Sequence, residues 1–555
     1  MHIHIHIPTT MADQILPVPD PVDSYWLSEP HELSNLRSTP DLPPECDILI
    51  IGSGMAGITT AYHILEGRKD EQQQQSLNNH PSTSPPPSPS SSLLILEARH
   101  LCSGATARNG GHCKAKVSTL TSLLRTRGAP AVDALQAYVQ DVIDRLKRLV
   151  EDEDEDGQDL LEYAEFELRR TFDVFLDSEE AEDIKRVYEE SRREGRAWTR
   201  NVSWIGAKYA ERVTSIRGAV AAFSGPACSF WPYKLAVGLL ARLVERYPPV
   251  LREEREEREE EEGQGRGRGR GRANRKERWT LNVQTHTPAT SVTIDEEGRN
   301  VVATPRGTVR AKKLVFATNA YTAGLLPRFQ DVIVPMRGMA SHLCVPTAEA
   351  ETETGTRKKS SVLSRGLVVH PHLVNTYNIA FGPDKGVDYL NPRPDGGIVV
   401  GGAKWMYDGD RASWYDNFDD SVRFGADVEM YWDGYMQRTF RGWEDSGAVT
   451  EKVWVGIMGI TPDGFPHVGR VPGGGSGGSG GGNGESDGKQ WVLAGFNGGG
   501  MALILTAAKA VARMVRDDVG FEEVKGEFKL PEFFATNEER LKKAGEKEED
   551  MLKRK

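Results

Sequence analysis

Three glycines, Gly52, Gly54 and Gly57, follow the short apolar run at residues 48–51 in the stretch DILIIGSGMAG. With G-x-G-x-x-G spacing, the first glycine permits a tight turn and the second lets the backbone approach a pyrophosphate. The third lets a helix pack against the strand. A helix that begins here directs free N–H groups and the positive end of its dipole at the phosphates. The chemistry expected of this stretch is therefore the binding of a dinucleotide.

A second apolar run at residues 93–96 ends in Glu97, an acid placed to hydrogen-bond a ribose hydroxyl. Glu97 lies about twice as far from the glycines as the usual ~20 residues. Residues 69–92 explain the excess, because their Gln, Ser and Pro content offers little apolar surface to order them. We interpret them as a disordered loop insertion in an otherwise ordinary βαβ unit.

The composition limits the class of protein and its partners. A chain of 555 residues exceeds what one core usually supports, which predicts two interleaved domains. A net charge of −12 argues against nucleic-acid and membrane partners, and no run approaches the ~20 apolar residues that span a bilayer. Five scattered cysteines without C-x-x-C spacing favour a reducing, cytoplasmic location and argue against a metal site.

Residues 98–117 are small and glycine-rich, which suits a loop lying against a large planar ligand. The motifs GSGMAG, LLILEA and SGATARNGGH resemble the FAD-dependent amine and amino-acid oxidoreductases of the D-amino-acid oxidase superfamily. Within that superfamily, the Gly-Ala-x-x-Arg-Asn-Gly-Gly pattern at residues 104–111 is most similar to gamma-glutamylputrescine oxidoreductases and their fungal relatives. The resemblance covers most of residues 46–519.

The resemblance implies which residues contact FAD. Residues 104–111 would wrap the ribityl chain and pyrophosphate, residues 285–292 would contact the adenine, and residues 490–502 would aim a helix N-terminus at the flavin ring. Residues 314–327 resemble an Ala-Thr-Gly motif, but Asn319 replaces the usual Gly and puts close backbone approach there in doubt. The cofactor-binding residues implied in this way are Gly52, Gly54, Met55, Ala56, Gly57, Glu97, Ala98, Ser103, Thr106, Arg108, Asn109, Gly110, Gly111, Ala289, Ala317, Thr318, Asn497, Gly498, Gly500 and Met501.

The predicted fold class is α/β, with a Rossmann-like FAD-binding domain interleaved with an α+β substrate domain built on an antiparallel sheet. We expect a polar leader at 1–44, FAD-binding segments at 45–125, 209–330 and 446–520, substrate-domain segments at 126–208 and 331–445, and a charged tail at 521–555. Tyr25 and Trp26 of the leader are expected to anchor it on the domain surface. Dispensable insertions are expected at 69–92, 252–276 and 473–488.

The resemblance implies oxidation of a C–N bond in a small amine or amino acid by hydride transfer to FAD, with O2 as electron acceptor. A dehydrogenase that uses a carrier protein or a quinone remains open. A non-enzymatic protein that binds RNA through its RGRGRGR run also remains open, although the intact FAD motifs disfavour it. The sequence indicates neither the substrate nor the oligomeric state.

No catalytic residue is identifiable from the sequence. His467 and Tyr377 are candidates, but such residues are more often structural. We interpret Arg337 as the tether of a strand rather than as the ligand of a substrate carboxylate.

We predict that FAD is bound non-covalently. In some relatives a His tethers the flavin, but the matching position here is Arg108; in others a Cys does so, at a position near Gly456. Cys102, Cys113 and His112 are the nucleophiles that remain in residues 98–117, the flavin loop, and they keep the covalent alternative open.

Overall fold

The computed structural model describes residues 15–78, 90–151, 159–249, 278–346, 370–473 and 488–545. Within these residues the chain folds around two sheets whose strands alternate along the sequence. The predicted α/β class with interleaved domains is therefore confirmed. The Arg-Gly run at residues 266–272 lies outside the described residues.

The first sheet is mainly parallel, and the apolar run before the three glycines is its central strand. It consists of β1 (Glu45–Ile51), β2 (Ser90–Leu96), β7 (Arg278–Gln284), β8 (Ser291–Ile294), β9 (Asn300–Thr304), β10 (Gly307–Phe316), β16 (His467–Arg470) and β17 (Gln490–Ala494). The strand order is β16-β17-β10-β1-β2-β7, with β8 and β9 attached alongside β10. Strands β1, β2, β7, β10 and β17 run parallel, as in a dinucleotide-binding domain.

The second sheet is mainly antiparallel and has the order β15-β11-β14-β13-β12-β4-β6-β3, with β5 paired to β6. These labels denote β3 (His112–Lys114), β4 (Glu167–Phe175), β5 (Ser203–Ile205), β6 (Ala221–Ser229), β11 (Val334–Cys344), β12 (Thr376–Ala380), β13 (Val387–Pro392), β14 (Ile398–Gly402) and β15 (Val449–Ile460). Strands β4 and β12 pair in parallel, so the predicted antiparallel sheet has one exception.

Helices cover the first sheet and flank the second. They are α1 (Met55–Asn78), α2 (Val117–Arg127), α3 (Ala129–Glu151), α4 (Leu160–Tyr163), α5 (Ser178–Arg193), α6 (Ala207–Thr214), α7 (Pro232–Arg246), α8 (Thr322–Leu325), α9 (Arg411–Trp414), α10 (Ala426–Glu429), α11 (Tyr435–Thr439), α12 (Ile504–Asp517), α13 (Phe521–Lys525) and α14 (Glu538–Gly545). The apolar faces of α1, α3, α7 and α12 join one large core cluster with β1 and β2. Among the described residues, no helix is long and apolar enough to cross a bilayer.

The turn from β1 into α1 depends on two glycines for its geometry. Gly52 has a φ of +106°, and a Cβ there would lie 2.6 Å from the carbonyl oxygen of Ala317. A Cβ at Gly57 would lie 1.9 Å from the carbonyl oxygen of Gly52. The first and third glycines of the motif therefore allow the turn and the packing of α1 against it, as the spacing predicts.

The boundaries of the first insertion differ from the prediction. Helix α1 continues to Asn78 and β2 begins at Ser90, so parts of the segment 69–92 expected to be a loop belong to regular elements. Ser92 also exchanges hydrogen bonds with Asp47 across β1 and β2. The prediction failed because it relied on low apolar content, and helix formation by Gln-rich sequence does not require burial.

Sheet membership also departs from the expected domain segments. Strands β3, β6 and β15 lie in segments expected to belong to the FAD-binding domain, yet all three hydrogen-bond within the second sheet. Sequence composition does not mark where a chain passes from one sheet to the next.

The N-terminal strap, residues 15–44, is held on the folded chain by three buried residues, Ser24, Tyr25 and Trp26. Tyr25 is 6% exposed and Trp26 is fully buried, so the two residues do anchor the strap, as expected, but they insert into the core instead of resting on the domain surface. The indole of Trp26 donates a hydrogen bond to the carbonyl oxygen of Asn109, and the ring of Tyr25 stacks on His342. The strap therefore joins the flavin loop to the second sheet.

We predict that joint deletion of residues 79–89, 252–276 and 474–487 leaves flavin content and melting temperature nearly unchanged. The reason is compositional, because these segments offer little apolar surface to a core. Absorbance of bound flavin and a thermal melt measure the outcome, with the full-length chain as the reference. Loss of soluble protein would contradict the prediction.

Candidate active site

A cavity of about 410 Å³ lies between the two sheets. Ile51, Leu96 and Ala317, at the carboxyl ends of β1, β2 and β10, line one side of it. Ligands of open α/β sheets bind in the crevice at these strand ends. Tyr389 and Asn378, on β13 and β12 of the second sheet, line the cavity as well.

The N-terminus of α1 forms a cradle that fits a pyrophosphate. Gly54, Met55 and Ala56 line the cavity, and the Met55 N–H donates to the hydroxyl of Thr106 at 2.8 Å. A Cβ at Gly54 would lie 3.1 Å from that hydroxyl oxygen. The bare backbone and the positive end of the dipole suit the phosphates of FAD.

Glu97 ends β2 at the edge of the cavity, as predicted for an acid that binds ribose. Its Oε2 accepts from the backbone N–H and the hydroxyl of Ser53, and its Oε1 accepts from the N–H of Arg99. These bonds hold the carboxylate beside the glycine turn. Among the described residues that line the cavity, Glu97 is the one carboxylate.

A buried charge network fixes the flavin loop. Asp420 is fully buried and lies 2.9 Å from the guanidinium of Arg99 and 3.5 Å from that of Arg108. The guanidinium of Arg108 also donates to the carbonyl oxygens of Ser103, Val22 and Val455. The guanidinium of Arg108 is thus engaged by other protein groups. Any contact of Arg108 with FAD would be made by its backbone or by the aliphatic part of its side chain.

Most of the residues implied as FAD contacts lie around this one cavity. Those that line it are Gly52, Gly54, Met55, Ala56, Glu97, Ala98, Thr106, Arg108, Asn109, Gly110, Ala289, Ala317, Thr318, Gly498, Gly500 and Met501. Gly57, Ser103, Gly111 and Asn497 do not line it. The structure therefore brings together segments that are hundreds of residues apart in the sequence.

The four that do not line the cavity support its walls. Gly57 packs against the turn, and the carbonyl oxygen of Ser103 accepts from Arg108. Gly111 leaves room for the Trp26 ring, which would lie 2.4 Å from a Cβ at this position. The Asn497 side-chain oxygen accepts from the N–H of Thr461 at 2.7 Å.

Asn319, which stands where a Gly is usual, fits its position. Its φ of +42° is in the left-handed region, which Asn adopts more readily than other non-glycine residues. Its side-chain oxygen accepts from the N–H groups of Gly495 and Phe496, and the residue lines the cavity. The substitution therefore keeps the backbone conformation and adds a tie to the loop after β17.

The residues considered for a catalytic role either lie outside the cavity or are bound to other parts of the protein. His467 packs edge-on against Phe329, and the Tyr377 ring contacts Phe172; neither residue lines the cavity. Arg337 does line it, but its guanidinium donates to the carbonyl oxygens of Ser413 and Val422. These two bonds agree with the interpretation of Arg337 as a tether.

Three lysines that no sequence motif singled out, Lys114, Lys116 and Lys404, line the cavity. The ammonium groups of Lys116 and Lys404 form no hydrogen bond or ion pair with any described residue. Lys404 lies over the ring of Trp414, 4.3 Å from its centroid. Unpaired cations in a cavity favour an anionic ligand. The signal in the sequence is the i, i+2 spacing of Lys114 and Lys116 at the end of the flavin loop.

Lys114 is buried, and its ammonium donates to Thr171, to Thr376 and to the carbonyl oxygen of Tyr377. Burial lowers the pKa of Lys114 to about 7, although the charge of Asp173 opposes the shift. Burial also lowers the pKa values of Lys116 and Lys404. The charge of Lys114 therefore changes near neutral pH.

We predict that a simple carboxylate such as propionate binds about tenfold more weakly as the pH rises through about 7. Protonated Lys114 attracts the anion and neutral Lys114 does not. Lys116 and Asp173 face the same ammonium, and burial keeps the nearby His112 neutral by lowering its pKa well below the usual range. Perturbation of the flavin spectrum measures the affinity. Lys114→Met should lose the step near pH 7, and an unchanged profile would contradict the prediction.

The described residues contain no group of three or more His, Cys, Asp or Glu side chains arranged to hold a metal ion. The cavity instead combines a dinucleotide cradle with three lysines. These two features define a cavity suited to a dinucleotide cofactor and an anionic small molecule.

The family model described as DAO, FAD dependent oxidoreductase, matches residues 47–514. The chain therefore belongs to this family and is an FAD-dependent oxidoreductase. No curated protein sequence matches the chain significantly.

Solved structures share the fold at low sequence identity. Glycine oxidase from Geobacillus kaustophilus is 17% identical with a TM-score of 0.54, covering 85% of this chain and 95% of that one. L-proline dehydrogenase from P. horikoshii is 16% identical with a TM-score of 0.53, covering 85% and 94%. Iminodiacetate oxidase from Chelativorans sp. BNC1 is 17% identical with a TM-score of 0.51, covering 86% and 98%.

Proposed function

We propose that the protein oxidises a C–N bond of a small amino acid, or of an amine that carries a carboxylate, with O2 as the electron acceptor. The observation that carries the proposal is the single cavity that joins the dinucleotide cradle to Lys114, Lys116 and Lys404. The solved neighbours named as glycine oxidase, L-proline dehydrogenase and iminodiacetate oxidase are consistent with this substrate class. The gamma-glutamylputrescine-type substrate suggested by residues 104–111 also carries a carboxylate.

The residues divide into cofactor and substrate contacts. Gly54, Met55 and Thr106 would hold the pyrophosphate of FAD, and Glu97 would hold its ribose. FAD, when bound, supplies the acceptor for a hydride from the carbon next to the substrate nitrogen. Lys116 and Lys404, whose ammonium groups form no hydrogen bond or ion pair within the described chain, would bind the substrate carboxylate.

The second sheet would limit the entry of water to the reacting groups. Tyr389 fills the space above Gly110 and Gly401, since a Cβ at either glycine would lie within 2.7 Å of its ring or hydroxyl. A closed site prevents premature hydrolysis of the imine that amine oxidation produces. Release of the imine to water then yields the carbonyl product and ammonia or a smaller amine.

The experiment is a panel of amino acids and amines added to the flavin-loaded protein without oxygen. Bleaching of the visible flavin absorbance by a carboxylate-bearing amine supports the proposal, and bleaching only by amines without a carboxylate contradicts the substrate class. Admission of air to the bleached protein tests the acceptor. Rapid return of the colour with formation of peroxide supports O2, whereas slow return points to a dehydrogenase.

We predict that the FAD separates from the protein on acid precipitation. Arg108 and Gly456, the positions that would tether flavin by resemblance, lie against each other and carry no suitable nucleophile. Burial raises the pKa of the Cys102 thiol well above its usual range, so it stays protonated, and its Sγ donates to the carbonyl oxygen of Ser53. Free yellow supernatant is the expected result.

Flavin fluorescence that stays with the precipitated protein would contradict non-covalent binding. His112 lines the cavity and would then be the residue to replace, with His112→Gln as the variant. Cys113 faces Cys228 across β3 and β6 and does not line the cavity.

A further inference from the structure

We propose that Asn378 receives the amino group of the substrate, with its side-chain oxygen accepting an N–H hydrogen bond. The inference rests on the proposed function, because it presupposes an amine in this cavity. Asn378 lines the cavity from β12 and is 4% exposed. It pairs with Tyr389 of β13, which also lines the cavity.

The orientation of the Asn378 amide follows from its neighbour. Its Nδ2 lies 2.5 Å from Oδ1 of Asp173, which is 5% exposed. A carboxylate can only accept, so the amide nitrogen must face Asp173 and the amide oxygen must face away from it. That oxygen is buried and has no hydrogen-bond partner in the described parts of the chain. Buried amide oxygens without a donor are costly, and a ligand N–H supplies one.

Hydrogen bonds fix the Asp173 carboxylate in the position that orients the Asn378 amide. Its Oδ2 accepts from the N–H of Val117 at 2.7 Å, so each carboxylate oxygen has a donor. Asp173 does not line the cavity and acts through Asn378. We therefore assign Asp173 as a positioning residue.

Asn378 lies close to lysines, so an acceptor for the amino group of an amino acid stands beside cations for its carboxylate. Lys114 donates to the carbonyl oxygen of Tyr377, the residue before Asn378, and Lys116 lies two residues further along its own segment. An acceptor for N–H thus lies beside cations for a carboxylate. A neutral amide oxygen also accepts from an uncharged amine, whereas a carboxylate at this position would favour the ammonium form, which cannot lose a hydride.

The test compares ligands that differ only in the amino group and cannot be oxidised. The pairs are 2-aminoisobutyrate with isobutyrate, and anthranilate with benzoate, titrated into the flavin-loaded protein while the flavin spectrum is recorded. The measured quantity is the Kd of the amino ligand divided by the Kd of its partner. Asn378→Leu should raise this ratio about tenfold or more.

Two further variants separate a specific role from a general one. Asp173→Asn keeps the shape but frees the Asn378 amide to turn over, so it should also raise the ratio; it decides the question if Asn378→Leu does not fold. Lys116→Met is the matched control, and it should weaken both members of a pair while the ratio stays the same.

The outcomes for Asn378 and for the proposed function are distinguishable. An unchanged ratio in Asp173→Asn and in any folded Asn378→Leu overturns the role of Asn378. If the amine panel still bleaches the flavin in that case, the proposed function stands without this assignment. If no compound bleaches the flavin of the parent protein, the proposed function fails and the role of Asn378 fails with it.

Discussion

Replacing Asp420 with Ala is expected to destabilise the protein by about 3–5 kcal/mol, the usual result of removing one partner from a buried ion pair. Arg99 and Arg108 would keep their charges inside the protein without a counter-charge, because their side chains are 3% and 1% exposed. The lost anchor would also loosen the flavin loop. Denaturant unfolding and bound-flavin absorbance measure the two effects.

Asp420→Asn separates the charge from the shape, since an amide oxygen can still accept from Arg99. We expect Asp420→Asn to lose less free energy of unfolding than Asp420→Ala, but more than none. Asp183→Ala is the matched control, because Asp183 pairs with Arg125 at the surface, where both side chains are at least 40% exposed. Such exposed pairs contribute about 0–1 kcal/mol. Equal losses for Asp420→Ala and Asp183→Ala would refute the role of the buried network.

Replacing Gly54 with Val is expected to yield colourless protein. A Cβ at this position already lies 3.1 Å from the Thr106 hydroxyl, and the additional methyl groups would enter the cradle at the N-terminus of α1. Overpacking of this kind costs about 1–3 kcal/mol, which corresponds to roughly 5–150-fold in FAD affinity. The ratio of flavin to protein absorbance after gel filtration measures the loss.

A graded series makes the Gly54 prediction specific. Gly54→Ala adds only the Cβ and should retain more flavin than Gly54→Val. Gly409→Val is the control, because a Cβ at Gly409 meets no atom within 4 Å. A yellow, fully loaded Gly54→Val protein would refute the placement of the pyrophosphate.

Features with local causes could be predicted from the sequence. The run before Gly52 became the central strand β1, and the spacing of the glycines predicted the turn because backbone sterics alone demand it. Whether Asn319 can replace the usual Gly also depends only on local backbone conformation. Its left-handed φ is a conformation that Asn tolerates, so the motif survives the substitution.

Features that depend on distant pairing could not be predicted. The unfilled acceptor of Asn378 exists only because β12 lies beside β4, which brings Asp173 to it across about 200 residues of sequence. Likewise, Lys114 gains its hydrogen bonds from β4 and β12. A lone Asn or Lys in a sequence carries no sign of such partners.

The N-terminal strap has a consequence for the order in which the chain assembles. The N–H of Val22 bonds to the carbonyl oxygen of Asp420, and the hydroxyl of Tyr25 lies 3.4 Å from Asp395, 370 residues away. The strap is synthesised well before these two partners, which lie hundreds of residues later in the chain. Closing so large a loop is slow relative to local folding. We therefore expect the contacts of the strap with Asp395 and Asp420 to form late in folding, after the second sheet has assembled.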